Sequence, residues 1–377
     1  MPARNSASGG KAAAFATAGK AATSGGGRHH RLGVLTRHLA SLPADDGDGA
    51  GAGGGGGGGG GWSGCEAWQG RSMAPGEATL YAPLQPSSAQ ACIATVKRLG
   101  FCVVESEACG TTPPEIDQRR KELHSFGAAL GVVLKQSPRD EPVEDIKDFS
   151  DLDAEKDDRG YRSGGEMLPH SDPPTLIILH CVRPAKSGGE SQIVSVASIV
   201  QRMEAAAPGL AAELFTPLPN WRVEGQDGLS DAGVLPAPQP VLARKGGTAD
   251  GALSCYLYRP FLERACDAVG YTLSTAQIAA LDLFQEMSLA ADLTLRFDLK
   301  PGQTMVLHNR SVLHARTDYA DHHDVDRRRH LLRMWIDAPQ ASDWTHARTH
   351  ARTCAEMGAG APYIERTRAV VVDMLTL

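Results

Sequence analysis

A histidine and an aspartate separated by one residue stand in Leu168-Pro-His170-Ser-Asp172-Pro-Pro174, directly before an apolar run with strand character. In extended backbone residues i and i+2 project to the same side, so one imidazole and one carboxylate can reach a single ion. Those two groups are two thirds of a facial triad. A second histidine would complete it and leave the opposite face of the metal open to two oxygens of a co-substrate and to dioxygen, the arrangement that non-haem iron(II) oxygenases use. Alone, the His-x-Asp tripeptide is a weak signal, because 13 histidines and 44 acidic residues in 377 positions will often produce a solvated pair. His308 and His314 compete for the third place. His322, His323 and His330 lie in or beside an acidic and then basic loop and read as solvated, while His124 and His180 have no partner in the sequence.

The partner segment changes that balance. Near the C-terminus runs His308-Asn-Arg-Ser-Val-Leu-His314-Ala-Arg-Thr-Asp-Tyr319, followed by Arg327-Arg-Arg329-His-Leu-Leu-Arg333-Met-Trp-Ile-Asp337. Together with His170-Ser-Asp172 and the turn Gly188-Gly-Glu-Ser191, these segments resemble the taurine dioxygenase and 2,4-dichlorophenoxyacetate dioxygenase family. That pattern is His-x-Asp, a Gly-Gly-acid-hydroxyl turn, Asn-Arg before a distal His, and an Arg-His-Leu strand, here all in order. The resemblance covers about residues 77–340 and is most specific over 163–196 and 299–337.

What the resemblance implies is concrete. The metal ligands would be His170, Asp172 and His314, since the family's distal histidine follows the Asn-Arg pair and His308 precedes it. The co-substrate arginine would be Arg329, assisted by the hydroxyl of Ser191. A 2-oxoglutarate molecule chelates iron through its keto acid end and leaves a distal carboxylate, which needs a rigid bidentate donor that keeps its charge. Arg327 and Arg328 are adjacent competitors, but strand parity puts Arg329 on the side of Leu331, Arg333 and Trp335. Arg333 stands where the taurine enzyme grips its substrate's anionic group, and an arginine partly buried in a salt bridge is an equally good reading of it. The implied cofactors are iron(II), 2-oxoglutarate and dioxygen, with succinate and carbon dioxide released and a small, anionic or amino-acid-like metabolite hydroxylated. Asp172 argues against halogenation, because related halogenases carry a small residue there to admit chloride.

Other readings explain less. A cupin-like enzyme using another metal leaves Arg329 and the Gly-Gly-Glu-Ser turn without a role, and a catalytically silent jelly-roll binding module would be expected to have lost part of the set. Neither a Gly-x-Ser-x-Gly elbow nor a His-Glu-x-x-His helix is present to support a hydrolase. The chain departs from the family pattern in a longer insertion between His314 and Arg329, and residues 217–251 match none of its motifs.

Positioning these groups calls for a mainly β, α+β fold. Short apolar runs at 101–104, 175–182, 192–196, 293–299, 304–308 and 331–337 read as strands, and the spacing predicts helices around 92–98, 114–130, 196–203 and 275–289, the last capped by Ser274 or Thr275. Strands so spaced suggest a double-stranded β-helix, or jelly roll, with flanking helices. Three segments are expected: a Gly/Ala/Ser-rich leader over 1–76, the oxygenase domain over 77–340, and a C-terminal extension over 341–377. The leader includes an unbroken glycine run from Gly53 to Gly61 and should be disordered. Up to Ala44 it has Arg and Lys but no acid, as in an organellar transit peptide; the alternative is a start placed upstream of a true start at Met73.

Composition narrows the partners. A formal charge of −6 argues against covering a phosphate backbone, so no nucleic acid is expected. The 8 cysteines form no C-x-x-C pair and read as reduced thiols. No apolar run approaches the roughly 18 residues of a membrane span. A small-molecule substrate and a cytoplasmic location are expected, with organellar import if the leader is a transit peptide; the resemblance allows a homo-oligomer.

Overall fold

Four consecutive apolar residues, Phe101-Cys-Val-Val104, make sense in a strand only if both its faces are covered, and all four are buried. The computed structural model describes residues 65, 67–73, 76–136, 141–148, 164–220, 237–244, 247 and 251–338. In chain order, eleven strands and five helices build the site's surroundings. They are β1 (Thr79–Tyr81), α1 (Pro86–Leu99), β2 (Phe101–Glu105), α2 (Pro113–Ala128), β3 (Val132–Leu134), β4 (Glu144–Ile146), β5 (Met167–His170), β6 (Leu176–Arg183) and β7 (Ser191–Ser195), then α3 (Val196–Ala206), α4 (Arg259–Val269), α5 (Thr275–Ser288), β8 (Thr294–Phe297), β9 (Gln303–His308), β10 (Val312–Arg316) and β11 (His330–Asp337).

Seven of these strands form one sheet in the order β1-β2-β9-β6-β11-β3, with β4 also paired to β11. Pairing is antiparallel except between β1 and β2. A second sheet runs β8-β7-β10-β5, antiparallel throughout. One face of the large sheet packs under α1 and α2, through residues such as Val96, Leu123, Phe126, Val104, Ile178 and Met334. Its other face meets the small sheet, through Phe101, Ile177, Leu307 and Trp335 on one side and Ile193 and Val312 on the other. The architecture is thus mainly sheet, with helices against it. Each helix boundary has a local cause. Gly100 takes a left-handed φ of 83° and its N–H closes on Val96 at 2.8 Å, which ends α1 and turns the chain into β2. Thr112 with Glu115 and Ser274 with Gln277 form capping boxes at α2 and α5, so Ser274, not Thr275, caps the last helix.

The fold reaches further towards the N-terminus than the composition suggests. Residues 67–73 belong to the segment expected to be a leader, yet Trp68 is only 9% exposed. Its indole N–H donates to the Leu99 carbonyl at 2.8 Å and its ring lies 5.5 Å from that of Phe101. One large aromatic side chain offsets the ordering cost of its small neighbours. The rest of the leader, up to residue 64, and the extension over 341–377 lie outside the described residues. Among the described residues no helix is long and apolar enough to cross a membrane.

Candidate metal and co-substrate site

The small sheet brings the ligand candidates together by register. His314, in the middle of β10, is the direct cross-strand partner of His170 at the end of β5, and the two ring centroids lie 4.3 Å apart. Asp172 follows two residues later, with Oδ1 3.7 Å from His170 Nε2. One ligand atom from each of His170, Asp172 and His314 falls within 4.8 Å of the others, a set that could hold a metal ion. The Nδ1 of His170 faces the Leu168 carbonyl at 2.8 Å, and a carbonyl only accepts, so Nδ1 carries the proton and Nε2 keeps a lone pair towards Asp172. Burial, and then the neighbouring His170, press the His314 imidazole down to about 3, which keeps it neutral and able to coordinate. Burial pushes the Asp172 carboxyl up, but His314, His170 and Arg333 outweigh it and hold the group below its usual range. On its other side His170 meets Tyr258, 5.3 Å between ring centroids, whose ring packs edge-on against Phe261.

Asp172 sits in a loop, and the loop is fastened from the turn between β9 and β10. Asn309 Nδ2 donates to the carbonyls of Asp172 and Pro174, Arg310 Nη2 donates to that of Pro173, and the Asn309 backbone N–H donates to that of Thr175. The Arg310 guanidinium also lies 4.7 Å over the Tyr256 ring. On the other flank Ser171 and Leu257 exchange two hydrogen bonds, the Ser171 N–H to the Leu257 carbonyl and the Leu257 N–H to Ser171 Oγ.

A cavity extends from this cluster, lined on its apolar side by residues such as Ile146, Ile177 and Leu331. Its charged lining is Asp172, Arg316, Arg329 and Arg333, with Ser191 beside them. Arg329 is 6% exposed, and its Nη1 has no hydrogen-bond partner. Its backbone N–H is taken by both oxygens of Asp321, and its guanidinium lies 5.2 Å from the Tyr319 ring centre. Arg316 lies 4.7 Å from the same centre and donates to the Gly165 carbonyl. Burial first, and repulsion by Arg329 second, bring Arg316 down to about 10. The Gly188-Gly189 turn lies beside Arg329: both glycines have left-handed φ, and a Cβ on Gly188 would run into the Asp318 carbonyl. Ser191 opens β7 directly opposite Arg316.

Arg333 is engaged with its surroundings. Its Nε donates to Gln136 at 2.9 Å, and its two Nη atoms lie 3.7 Å from Glu144 and 3.8 Å from Asp172. The neighbouring arginines separate cleanly, since Arg327 is exposed and Arg328 is buried but turned to the carbonyls of His322 and Asp148. His308 is buried at the end of β9 with Nδ1 against Ser311 Oγ, outside the cluster. His180 is buried too, paired with Thr304 Oγ1 at 2.8 Å. His330 corrects the reading of a solvated residue: it is 1% exposed and Nε2 meets Asp145, because β11 is covered on both faces from its first residue. Arg316, Tyr319, Tyr258 and the Gln136-Glu144 pair escaped the sequence reading. The parity that selected Arg329 would have found Arg316, two residues beyond His314.

Comparison with known proteins gives the family. The family model described as taurine catabolism dioxygenase TauD, TfdA family matches residues 70–335, more than half of the chain. The chain belongs to that family, whose members use iron(II), 2-oxoglutarate and dioxygen. Among characterised relatives, FR-33289 synthase of Streptomyces rubellomurinus is 29% identical over 232 residues, 59% of this chain and 66% of the relative. A taurine hydroxylase-like protein, SAT17, of Stachybotrys chartarum is 29% identical over 186 residues, 46% of this chain and 43% of the relative. The match therefore spans just under two thirds of the first relative and less than half of the second. Solved structures with a similar course of the chain include asparagine oxygenase, at 15% identity and a TM-score of 0.49 with 63% of this chain and 74% of that one covered. A taurine dioxygenase from Burkholderia xenovorans is 18% identical with a TM-score of 0.46, covering 68% and 86%.

Proposed function

We propose that the chain is a non-haem iron(II) and 2-oxoglutarate-dependent dioxygenase in which His170, Asp172 and His314 hold the metal and Arg329 holds the distal carboxylate of 2-oxoglutarate. The observation that carries this reading is the pairing of a two-histidine, one-carboxylate cluster with a buried arginine whose Nη1 is unpartnered, at one cavity. The residues fit the groups they would bind. The His170 tautomer leaves Nε2 for a cation, His314 is neutral, Asp172 is ionised, and a buried guanidinium nitrogen without a partner is costly until an anion reaches it. Ser191, opposite Arg316 at the cavity wall, is placed to add a hydroxyl to the same carboxylate.

Iron so held would supply the redox chemistry that couples 2-oxoglutarate oxidation, with release of succinate and carbon dioxide, to hydroxylation of a substrate. The protein's own part is orientation and exclusion of water. Arg329 with Arg316 and Tyr319 sets the depth of the co-substrate, while Ile146, Ile177 and Leu331 keep its carbon chain dry. We take the substrate to be a small, anionic or amino-acid-like metabolite, as membership of this family implies. We read the two facing sheets as a double-stranded β-helix, the small sheet carrying the two histidines. A silent binding module is not favoured, since no member of the expected set is missing.

The test is anaerobic titration of the apo-protein with iron(II) and 2-oxoglutarate, followed by the weak visible charge-transfer absorption of the chelate, and by succinate formation once oxygen is admitted. Folded wild-type protein that gives neither would overturn the proposal.

A further inference from the structure

Arg333 occupies the place where an anionic substrate group would be sought, but its guanidinium already faces three groups of this chain. Nε donates to Gln136 Oε1 at 2.9 Å, and Gln136 Nε2 returns a bond to the Arg333 carbonyl at 3.0 Å. Nη2 lies 3.7 Å from Oε2 of Glu144, its direct cross-strand partner on β4, and Nη1 lies 3.8 Å from Oδ2 of Asp172. The guanidinium carbon lies 5.0 Å from the centre of the Trp335 ring. Gln136 is 1% exposed, Glu144 6% and Arg333 9%, so this frame is shut away from water. A second anion entering here would meet the like charges of Glu144 and Asp172. Asp172, in turn, is divided: Oδ1 points at His170 Nε2 across 3.7 Å, while Oδ2 points at Arg333. A carboxylate can ligate through one oxygen or through both, and the second mode would take one of the positions a facial triad must keep open.

We propose that Arg333 is a positioning residue for Asp172, holding Oδ2 off the metal position so that the carboxylate offers one oxygen only, with Gln136 and Glu144 fixing the guanidinium in that pose. The inference rests on the reading of His170, Asp172 and His314 as the metal site.

The experiment uses full-length protein loaded with cobalt(II), whose visible absorption reports ligand number and geometry, first without 2-oxoglutarate and then with it. Wild type should bind cobalt and His314→Ala should not, which checks the underlying site separately. Arg333→Lys keeps the charge without the two-armed reach, and Arg333→Met combined with Glu144→Gln removes both charges without stranding the Glu144 carboxylate. Both should change the position and intensity of the bands in the absence of 2-oxoglutarate, and then bind 2-oxoglutarate about 10-fold or more weakly. An arginine that merely touched substrate or co-substrate would leave the cobalt bands of the 2-oxoglutarate-free protein as they are. Folded variants with wild-type bands overturn the proposal, whereas wild-type protein without cobalt bands overturns the metal-site reading itself.

Discussion

His170 and His314 face each other across the β5–β10 ladder as direct partners in register, 4.3 Å between ring centroids. Backbone pairing therefore fixes the distance between the two imidazoles, and the loop bearing Asp172 only has to bring in the third group. His314→Ala should leave the sheet intact while weakening iron(II) binding by on the order of 100-fold or more, beyond the usual effect of losing an outer-shell partner. Calorimetric titration with unchanged far-ultraviolet circular dichroism checks this; wild-type affinity in the variant would remove His314 from the ligand set.

Arg329 is predicted to trade stability for binding. In the apo-protein its buried Nη1 lacks a partner, so Arg329→Met should raise the unfolding midpoint, by about 2–4 °C if the gain is about 1 kcal/mol. The same change should weaken 2-oxoglutarate binding by about 10- to 100-fold, the equivalent of one charge-assisted hydrogen bond of about 1.5–3 kcal/mol, with iron affinity preserved. A variant that is less stable than wild type, or that binds 2-oxoglutarate equally well, contradicts the assignment.

Asn309 is predicted to matter through its donor atom. Its Nδ2 serves the carbonyls of Asp172 and Pro174, so Asn309→Ala should cost about 1–3 kcal/mol of stability. Asn309→Asp, nearly the same shape, should cost more, because it sets a carboxylate against two carbonyl oxygens. Urea unfolding of the two variants distinguishes them, and equal losses would point to packing alone.

Two buried histidines away from the cluster give the apo-protein a defined acid response. Burial depresses His180 and His308 to about 3, with the charge of Arg119 adding to the first and that of Arg310 to the second. Unfolded, both titrate near 6.5, so below that pH the unfolded chain binds protons that the folded chain refuses. Their contribution is fully present above about 6.5 and is lost progressively as pH falls towards 3. Denaturant midpoints measured at several pH values should fall over that window, and His308→Gln should flatten the fall; an unchanged slope would reject the account.

Trp68 ties the segment before β1 to the core. Trp68→Ala should destabilise by about 3–5 kcal/mol, as expected for a large buried aromatic residue, and a chain beginning at Met73 should lose at least as much. Thermal unfolding of the shortened chain at wild-type midpoint would show that the contact with Phe101 contributes little.

Much of the site was legible because chemistry and parity coincide in it. His170, Asp172 and His314 lie together as expected, and Arg329 reaches the same cavity as Leu331 and Arg333, the side that period two assigned to it. Helices announced by caps and apolar spacing were found within a few residues, as at 275–288. What escaped has physical reasons. The strand that carries His314 is five residues long and mixes Val-Leu with His-Ala-Arg, which has no alternation to read, so β10 was not anticipated. His330 looked polar and therefore solvated, and Arg316 drew no reading, yet both sit in strands covered on two sides, where polarity is balanced by Asp145 in one case and by a carbonyl and an aromatic ring in the other. Glycine-rich surroundings hid the Trp68 indole, which folds back on the core.

The clasp between Asn309 and the Asp172 loop joins residues 137 positions apart, and the His170–His314 pair is equally remote along the chain. Contacts of that separation form late, after loop-closure entropy has been met by nearer ones. An ion held by this set could therefore not organise the first half of the molecule by itself. If these three groups hold the metal as proposed, only a chain that has completed its second sheet could take it up, and a stalled or truncated product would lack the set.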